Sequence, residues 1–331
     1  MQEITIYDIA KKAGVSASTV SRVLNDFPYV KPSTRAKVLK TIKENHYIVN
    51  ETARGLKTQS SRMVGILLSD IRTTHHTDGV YYIQRILSQK GYSCLIYNTG
   101  TDEEEQVRYI RMLSQRNVDA AILMGSIYQT DAIRKAVRNY LPVTPVVICN
   151  GYLEAPNIYG LIADEQNGVC DCVRLLAEKG RKTLAFVVDH HTPSNRLKQR
   201  GFEEGIFRFY RGDSPLVVET STSIQDVLDA VTHLKSSHPA VDGIIFAEDR
   251  LAVIGMRALS EMGFSIPDHV AVIGINNSQY AQICNPPLTS LDNMLYDLSL
   301  MASRNLIALM KGERINQKMM ICSAIVERKT T

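Results

Sequence analysis

The first 25 residues carry two short groups of apolar residues, each with the spacing of one helix face. In the first group the spacing is i, i+3, i+4 and i+7, at Ile6, Ile9, Ala10 and Ala13. Gly14 follows, where a helix C-terminus favours a residue that tolerates positive φ. Ser16 stands at an N-cap position, and the second group consists of Val15, Val20, Val23 and Leu24. The pattern predicts two short helices joined by a tight turn.

The outward face of the second helix is short, polar and almost free of acids. It carries Ala17, Ser18, Ser21, Arg22 and Asn25. Side chains of this kind suit a helix that lies in a DNA major groove. The alternative interpretation is an ordinary amphipathic helical hairpin. We expect the DNA-binding helix, because the turn residues and the small residues at the helix crossing occur together with this polar face.

A third helix is predicted from Pro32 to about Asn45, after a loop that contains Tyr29. Thr34 lies in its first turn, where free backbone amides can bind a phosphate. Residues 50–58 are too few to hold a helix alone in water, so composition by itself favours a linker there. The residues expected to close a three-helix core are Val38, Leu39, Ile42 and Tyr47.

From Met63 onward, short apolar runs alternate with amphipathic stretches. Nearly continuous apolar strands separated by helices indicate parallel sheets covered on both faces. The candidate strands are more numerous than the roughly four to six strands of a typical sheet, so we expect two lobes that divide near Ala163. The last helix, Leu295–Lys311, is expected to return to the first lobe. The candidate strands are Met63–Ser69, Cys94–Asn98, Ala120–Gly125, Val146–Asn150, Gly160–Ala163, Leu184–Val188, Leu216–Glu219, Gly243–Ala247 and Val270–Ile275. The candidate helices include Val80–Lys90, Glu104–Gln115, Val169–Lys179, Ile224–Lys235 and Leu251–Met262.

A cleft between these two lobes is the expected small-molecule site. In open parallel sheets, ligands bind beyond the carboxyl ends of the strands. Polar residues follow several of the predicted strands, at 70–76, 125–126, 150, 189–191, 248–249 and 276–277.

Charge is distributed unevenly along the 331 residues, whose formal net charge is +4. Residues 1–60 hold ten Lys and Arg against five Asp and Glu, so the whole basic excess lies in this opening segment. A module that binds a polyanion needs such an excess.

Other composition features exclude several classes of protein. The cysteines lie mostly in apolar runs without zinc-ligand spacing, so we expect buried free thiols, as in a reducing cytoplasm. The adjacent pairs His75-His76 and His190-His191 lack the i, i+4 spacing of zinc ligands, and no metal is expected. No apolar run reaches the roughly 18 residues of a membrane helix, and Met1 leads into the first helix without a signal peptide. Motifs for phosphate-binding loops and catalytic nucleophiles are missing, so we expect neither an enzyme nor a cofactor.

The run from Thr5 to Asn25 resembles the DNA-binding headpiece of the LacI/GalR family of bacterial transcription regulators. Landmarks at 274–277, 287–290 and 327–331 extend the resemblance over nearly the whole chain. It implies an all-α three-helix headpiece with a helix-turn-helix and a hinge helix, then an α/β two-lobed core like periplasmic binding proteins, with two doubly wound parallel sheets. We place the headpiece at 1–49, the hinge at 50–60 and the core at 61–331. The N-lobe comprises about 61–162 plus 293–320, and the C-lobe about 163–292 plus 321–331.

The resemblance also implies a sequence-specific regulator, most often a repressor, that binds a palindromic operator in double-stranded DNA as a homodimer. A small-molecule effector controls its affinity. The chain ends without the leucine-heptad tail of tetrameric members, and the expected location is the cytoplasm, at the nucleoid. In the hinge, Leu56 is implied as a wedge in the minor groove, beside Ala53 and Arg54. The residues expected at DNA are Thr5, Ile6, Tyr7, Ser16, Ala17, Ser18, Thr19, Ser21, Arg22, Asn25, Tyr29, Thr34, Tyr47, Asn50, Ala53, Arg54 and Leu56.

Effector contacts follow from the resemblance only where positions match. Lys198, ahead of Gly201-Phe202, stands where the family usually has Arg, and Asn276 where it often has Asp. A neutral sugar or glycoside is one expected effector. An acidic or phosphorylated effector is another, because the loop after the first strand departs from the family pattern and Arg200 could add positive charge. A nucleobase, a protein corepressor and no effector at all are further alternatives. The expected effector contacts are Arg72, His75, His76, Ser126, Asn150, Lys198, Glu248 and Asn276.

A solute-binding protein of a transporter would share the two-lobed core. Such a protein is expected to carry an export signal and to lack a headpiece, whereas this sequence shows the reverse pattern.

Overall fold

The computed structural model describes residues 4–47, 60–210 and 214–331. The chain divides into two compact units, residues 1–61 and residues 62–331. Within the described residues, no helix is both long enough and apolar enough to cross a bilayer.

The first unit contains three helices, α1 (Ile6–Ala13), α2 (Ala17–Leu24) and α3 (Pro32–Glu44). Gly14 ends α1 with φ +60°, and its amide donates to the carbonyl of Lys11 at 3.2 Å while the Val15 amide donates to Ala10 at 3.0 Å. This pair of bonds closes the helix end and turns the chain into α2. The buried apolar core consists of Ile9, Ala10, Ala13, Val20, Val23 and Val38. The prediction that Leu39 belongs to this core is wrong, because Leu39 is 49% exposed.

The second unit alternates strands and helices along the chain. In order these are β1 (Met63–Leu68), α4 (Thr74–Gln89), β2 (Ser93–Asn98), α5 (Glu103–Gln115), β3 (Ala120–Met124), α6 (Asp131–Tyr140), β4 (Val146–Cys149), β5 (Ile158–Ala163), α7 (Glu165–Glu178), β6 (Leu184–Val188), α8 (Pro193–Phe209), β7 (Leu216–Glu219), α9 (Ile224–Ser237), β8 (Gly243–Phe246), α10 (Asp249–Glu261), β9 (Ala271–Ile275), α11 (Gln279–Ile283), β10 (Thr289–Asp292), α12 (Leu295–Met310), β11 (Lys318–Ile321) and β12 (Ala324–Val326).

These strands form two sheets, one in each lobe. Among the described residues, the first sheet has the order β11-β5-β4-β3-β1-β2 and the second the order β12-β10-β9-β8-β6-β7. Every neighbouring pair is parallel except β10 with β12. Helices cover both faces, so the central strands are apolar along their whole length, as in β3, where all five residues are buried.

The chain crosses between the lobes at three places: β5 to α7, β10 to α12, and β11 to β12. Because α12 packs on α4 and β4, the first lobe needs a helix from near the end of the chain. Each sheet has a core on both faces; in the second lobe, for example, Phe186 of β6 stacks on Phe202 of α8 with ring centroids 5.5 Å apart.

The predicted fold class is confirmed, with differences at element boundaries. The helix α4 begins at Thr74, not Val80, and α7 at Glu165, not Val169. The strands β10, β11 and β12 were not predicted. The described cysteines are all free. The prediction that they are buried is confirmed for Cys149, Cys170 and Cys172, but Cys94 and Cys284 are only half-buried and Cys322 is exposed.

Candidate functional sites

The N-terminus of α1 is fixed by a reciprocal pair of bonds. The Thr5 hydroxyl accepts the Asp8 amide at 3.4 Å, and the Asp8 carboxylate accepts the Thr5 amide at 2.9 Å. The Thr5 hydroxyl also donates to Asp8 at 2.7 Å, and these bonds lower the pKa of Asp8. This capping box fixes the backbone of Thr5, Ile6 and Tyr7 at the N-terminus of the helix.

The N-terminus of α2 is capped by Ser16, as predicted. Its hydroxyl accepts the Thr19 amide at 3.2 Å and lies 2.8 Å from the Ser18 hydroxyl. At the other end of α2, the Asn25 amide group donates to the Ser21 carbonyl at 2.8 Å. The polar face of the helix is therefore ordered by bonds within the helix itself.

Most residues expected at DNA lie on the surface of the first unit. Those classed as exposed are Thr5, Tyr7, Ser16, Ser18, Arg22, Asn25 and Tyr29, and those that are half-buried are Ile6, Ala17, Thr19, Ser21, Thr34 and Tyr47. Ile6, Ala17 and Tyr47 also pack against the core, so they have a structural role in addition to any contact with DNA. Asn50, Ala53, Arg54 and Leu56 lie outside the described residues.

An aromatic and basic edge follows α2. The rings of Phe27 and Tyr29 meet edge to face at 5.8 Å, and the Arg22 guanidinium lies 5.9 Å from the Phe27 ring. Tyr29 is 88% exposed, and Tyr7 is also largely exposed. Exposed tyrosines and an arginine beside a short polar helix are suited to contacts with phosphates and base edges.

The second unit contains a cavity of about 250 Å³ between the two lobes. Residues from both lobes line it, at the carboxyl ends of the strands. Seven of the residues predicted to contact an effector line the cavity: His75, His76, Ser126, Asn150, Lys198, Glu248 and Asn276.

Arg72 was predicted to line this cavity, and that prediction is wrong. Its side chain is 86% exposed and forms a two-pronged ion pair with Asp70, at 3.0 and 2.7 Å. A long side chain two residues from a carboxylate pairs locally, so Asp70 holds Arg72 outside the cavity. Arg200, on α8, is likewise exposed and does not line it.

His75 and His76 lie in the first turn of α4, not in a loop. Burial lowers the pKa of His75 to about 3, and burial also lowers the pKa of His76. Both imidazoles are therefore mainly neutral at pH 7. His76 Nδ1 lies 3.3 Å from the Asp70 carbonyl, whereas His75 Nδ1 is buried without a hydrogen-bond partner among the described residues.

Glu165, the first residue of α7, is a buried carboxylate at the boundary between the lobes, with 1% exposure. It accepts the Ser194 hydroxyl at 2.5 Å and the Asn293 amide group at 2.9 Å, and it lies 3.6 Å from the Lys198 ammonium. The Ser194 amide in turn donates to the Ser126 hydroxyl of the other lobe at 3.0 Å. One carboxylate thus connects two helices of the second lobe to a crossing segment.

Lys198 is 6% exposed, and its ammonium forms two hydrogen bonds and one ion pair. It donates to the Asn195 side chain and to the Ala247 carbonyl, both at 3.1 Å, and lies 3.6 Å from the Glu165 carboxylate. Glu165 therefore balances its charge.

Glu248 and Asp189 provide negative charge on the second-lobe wall. Burial, with repulsion from Asp189, raises the pKa of Glu248 to about 7. Asp189 accepts the Asn195 amide group at 3.2 Å and lies 3.8 Å from His190 Nε2.

Two of the predicted strand-end residues occupy strained backbone conformations. Asn150 has a backbone φ of +58° and Asn276 has one of +102°, and residues other than glycine rarely adopt a positive φ. Each is held by a side-chain bond: Asn150 accepts the Ala163 amide at 3.2 Å, and Asn276 accepts the Asn293 amide group, also at 3.2 Å. Strained residues of this kind cluster at ligand sites.

Several cavity residues were missed at the level of sequence. Asn195 precedes Lys198 by three positions on α8, so helical spacing could have identified it. No local signal marks Glu165 or Ser194, because their role depends on distant segments. Among the described residues, no group of three or more His, Cys, Asp or Glu is placed to hold a metal ion.

Comparison with known proteins gives two family matches. Residues 5–50 match the model of bacterial regulatory proteins of the lacI family, and residues 173–331 match that of the periplasmic binding protein-like domain. An HTH-type transcriptional regulator from Lachnoclostridium phytofermentans is 31% identical over 332 residues, covering 99% of each chain. The ribose operon repressor of Halalkalibacterium halodurans is 29% identical, covering 99% of this chain and 97% of the repressor.

The fold has close matches among solved structures. The lac repressor dimer bound to operator and the anti-inducer ONPF superposes with a TM-score of 0.89 at 23% identity, covering 99% of each chain. The named relatives are regulators and not enzymes, in agreement with the prediction. The chain belongs to the LacI family of bacterial transcription regulators, and it is a DNA-binding protein with a helix-turn-helix headpiece and a periplasmic-binding-protein-like core.

Proposed function

We propose that this protein is a transcriptional repressor that binds a palindromic operator as a homodimer and responds to a small, hydroxyl-rich effector in the inter-lobe cavity. The observation that carries the proposal is the cavity itself, which has walls from both lobes and a hydrogen bond from Ser194 to Ser126 across them. A ligand that contacts both walls favours one arrangement of the lobes over another.

The size and polarity of the cavity support a small sugar or glycoside. Its volume of about 250 Å³ lies below the roughly 300–1,000 Å³ of pockets that hold drug-sized ligands. Serine, asparagine and carboxylate groups on its walls can bind ligand hydroxyls, and Leu295 and Leu298 offer an apolar surface for a ring face.

The charges of the cavity argue against a phosphorylated effector. The predicted basic cleft depended on Arg72, Arg200, Lys198 and the histidines. Arg72 and Arg200 lie outside the cavity, Lys198 is paired with Glu165, and burial keeps His75 neutral. An anion would therefore face carboxylates without a free cation among the described lining residues.

In the proposed mechanism, effector binding changes the angle between the lobes, and the hinge predicted at 50–60 carries that change to the DNA-binding headpieces. Two copies then match or fail to match their half-sites. The lac repressor structure, a dimer bound to its operator and an anti-inducer, supports this assembly by analogy. The similarity to the ribose operon repressor supports the role of a repressor. We place the protein in the cytoplasm, with its DNA at the nucleoid.

The headpiece would read each half-site through the exposed face of α2, with Arg22 as its one long base-reading side chain. The amides at the N-terminus of α3, near Thr34, would bind a phosphate, since Lys31 at the N-cap provides no capping bond. Leu56, with Ala53 and Arg54, would enter the minor groove at the operator centre.

Selection from a random DNA library tests the function as a whole. The full chain should enrich a palindrome, bind it with one dimer per site in sedimentation analysis, and lose or gain affinity by about 5- to 150-fold when its effector is added. An enriched sequence without two-fold symmetry, or no preference over random DNA at matched salt, would refute the proposal.

A further inference from the structure

The cavity wall formed by the second lobe carries negative charge that the protein itself does not balance. Four acidic residues line the cavity: Asp70, Glu165, Asp189 and Glu248. Asp70 is paired with Arg72, and Glu165 is paired with Lys198. Asp189 accepts a hydrogen bond from the Asn195 amide group, and its carboxylate lies 3.8 Å from Nε2 of the partly exposed His190 ring. The Glu248 carboxylate has no hydrogen bond or ion pair to any part of the chain that the structure describes, although the backbone carbonyl of Glu248 accepts the Ala252 amide at 3.1 Å.

The position of Glu248 makes its lack of a partner informative. It occupies the N-cap of α10, and its side chain accepts no amide of the first turn. The residue lines the cavity instead. A partly buried carboxylate without a hydrogen bond is costly unless a partner is supplied from elsewhere.

The charged neighbours of Glu248 do not supply that partner. Asp189 repels it, as does Asp249, the next residue. Lys198 donates to Asn195 and to the Ala247 carbonyl and forms an ion pair with Glu165, and Arg250 donates to the Thr222 carbonyl at 2.7 Å. Burial, followed by repulsion from Asp189, raises the pKa of Glu248 to about 7, and the attraction of Lys198 and Arg250 offsets this only in part.

On the opposite wall, the charge of Asp70 is balanced by Arg72, and a neutral histidine can complete the contact. The imidazole of His75 is uncharged at pH 7, and its Nδ1 is buried without a partner in the described structure. A neutral imidazole can accept a hydrogen from a ligand N–H or O–H without repelling a positive charge.

We propose, granted that this cavity is the effector site, that the effector is a small amine, such as an amino sugar, whose ammonium group lies against Glu248 and Asp189. Its hydroxyl groups or ring then contact the asparagines and leucines of the other walls. The ammonium neutralises the two carboxylates, and Glu248 releases its proton to solvent when the ligand binds near neutral pH.

Calorimetry on the intact chain tests this charge selectivity. The ligand panel is glucosamine, galactosamine and mannosamine, each with its neutral parent hexose, its N-acetyl form and the parent's 6-phosphate. At least one amine should bind about 10- to 100-fold more tightly than its parent and its N-acetyl form, the range that a hydrogen bond to a charged group contributes. Glu248→Gln keeps the shape of the side chain and should abolish that preference.

A matched control and a second readout make the outcome decisive. Glu261→Gln removes an exposed carboxylate at the far end of α10 and should leave every affinity unchanged. Amine affinity should rise with pH between 6 and 8 more steeply in the wild type than in Glu248→Gln. The amine's own titration is common to both proteins, so the difference belongs to Glu248.

Several outcomes would overturn the inference while leaving the proposed function intact. They are tighter binding of a neutral hexose or a phosphate than of its amine, an amine preference that survives Glu248→Gln, and no binding of any amine by a chain that still binds its operator. Loss of selective DNA binding in the wild type would instead refute the proposed function.

Discussion

The contact of Glu165 with Lys198 offers the strongest test of what stabilises the second lobe at its boundary with the first. Glu165→Ala removes a carboxylate that accepts Ser194 and Asn293 and faces the Lys198 ammonium at 3.6 Å. The lysine would keep its bonds to Asn195 and Ala247 but lose its counter-charge in a site that is 6% exposed.

The expected cost is large because the remaining charge stays buried. Breaking a buried pair by removing one partner costs about 3–5 kcal/mol. A domain of this size loses about 2–4 °C in Tm per kcal/mol, so Glu165→Ala should lower the Tm of the core transition by about 6–20 °C. Glu165→Gln retains the shape and one acceptor, and should cost about half as much.

Thermal unfolding of the full chain, followed by circular dichroism, provides the measurement. The double variant Glu165→Gln with Lys198→Met removes both charges, and it should be more stable than the sum of the single variants predicts. Glu178→Gln is the control, since Glu178 lies on the same helix in an exposed pair with Arg174 and should cost less than about 1 kcal/mol.

Two results would refute this reasoning. One is a Glu165→Ala protein whose Tm falls by no more than that of Glu178→Gln. The other is a pair of single variants whose effects simply add, which would mean that Lys198 does not depend on Glu165.

Three further predictions address other sites. Gly14→Ala should destabilise the headpiece by about 1–2 kcal/mol, because φ +60° is left-handed; amide hydrogen exchange of α1 measures this, and unchanged protection would contradict it. Arg22→Ala should weaken operator binding by about 1–3 kcal/mol and relax one base preference per half-site; an equal loss on random DNA would assign Arg22 to phosphate. Burial raises the pKa of Glu248 from 4.5 to about 7, so the stability it contributes is complete at acid pH and is lost as pH rises through 7. The free energy of unfolding of Glu248→Gln, relative to that of the wild type, should therefore be about 1–3 kcal/mol more favourable at pH 8 than at pH 5. The same difference between the two proteins at both pH values would contradict this prediction.

The headpiece was predictable because its determinants are local. Gly14 and Ser16 act within four residues of their partners, and the apolar spacing around them is regular. Leu39 was misjudged because helical spacing gives the face of a residue only approximately, and the core of three short helices is narrow.

The cavity was predictable in outline and not in its charges. Strand ends identified six of the seven predicted effector contacts that line it, since strand direction fixes where polar ends gather, and the family resemblance identified the seventh, Lys198. The environment of Glu165 was out of reach, because its partners Ser194 and Asn293 are 29 and 128 residues away. Arg72 was misplaced because sequence does not show whether a long side chain extends into a cleft or folds back on a neighbour.

The strand β10 was missed for a related reason. Thr289 and Ser290 look like turn residues, yet both are fully buried. Ser290 donates to Asp249 at 2.5 Å, and the Thr289 amide donates to the Thr330 hydroxyl at 2.9 Å. Partners elsewhere in the chain convert a polar tetrapeptide into an interior strand.

The three crossings between the lobes also determine the order in which the protein can form on the ribosome. The first lobe has β1 to β5 once Ala163 is made, but it lacks β11 and α12 until Ile321 appears. At about 5–20 residues per second, that interval lasts on the order of 8–30 s. During that time the surface of α4 and β4 that α12 later covers stays open to solvent or to a chaperone. The headpiece, complete in sequence by Tyr47, has no such delay. A nascent chain therefore contains its whole DNA-reading headpiece well before the two lobes that control it can be completed.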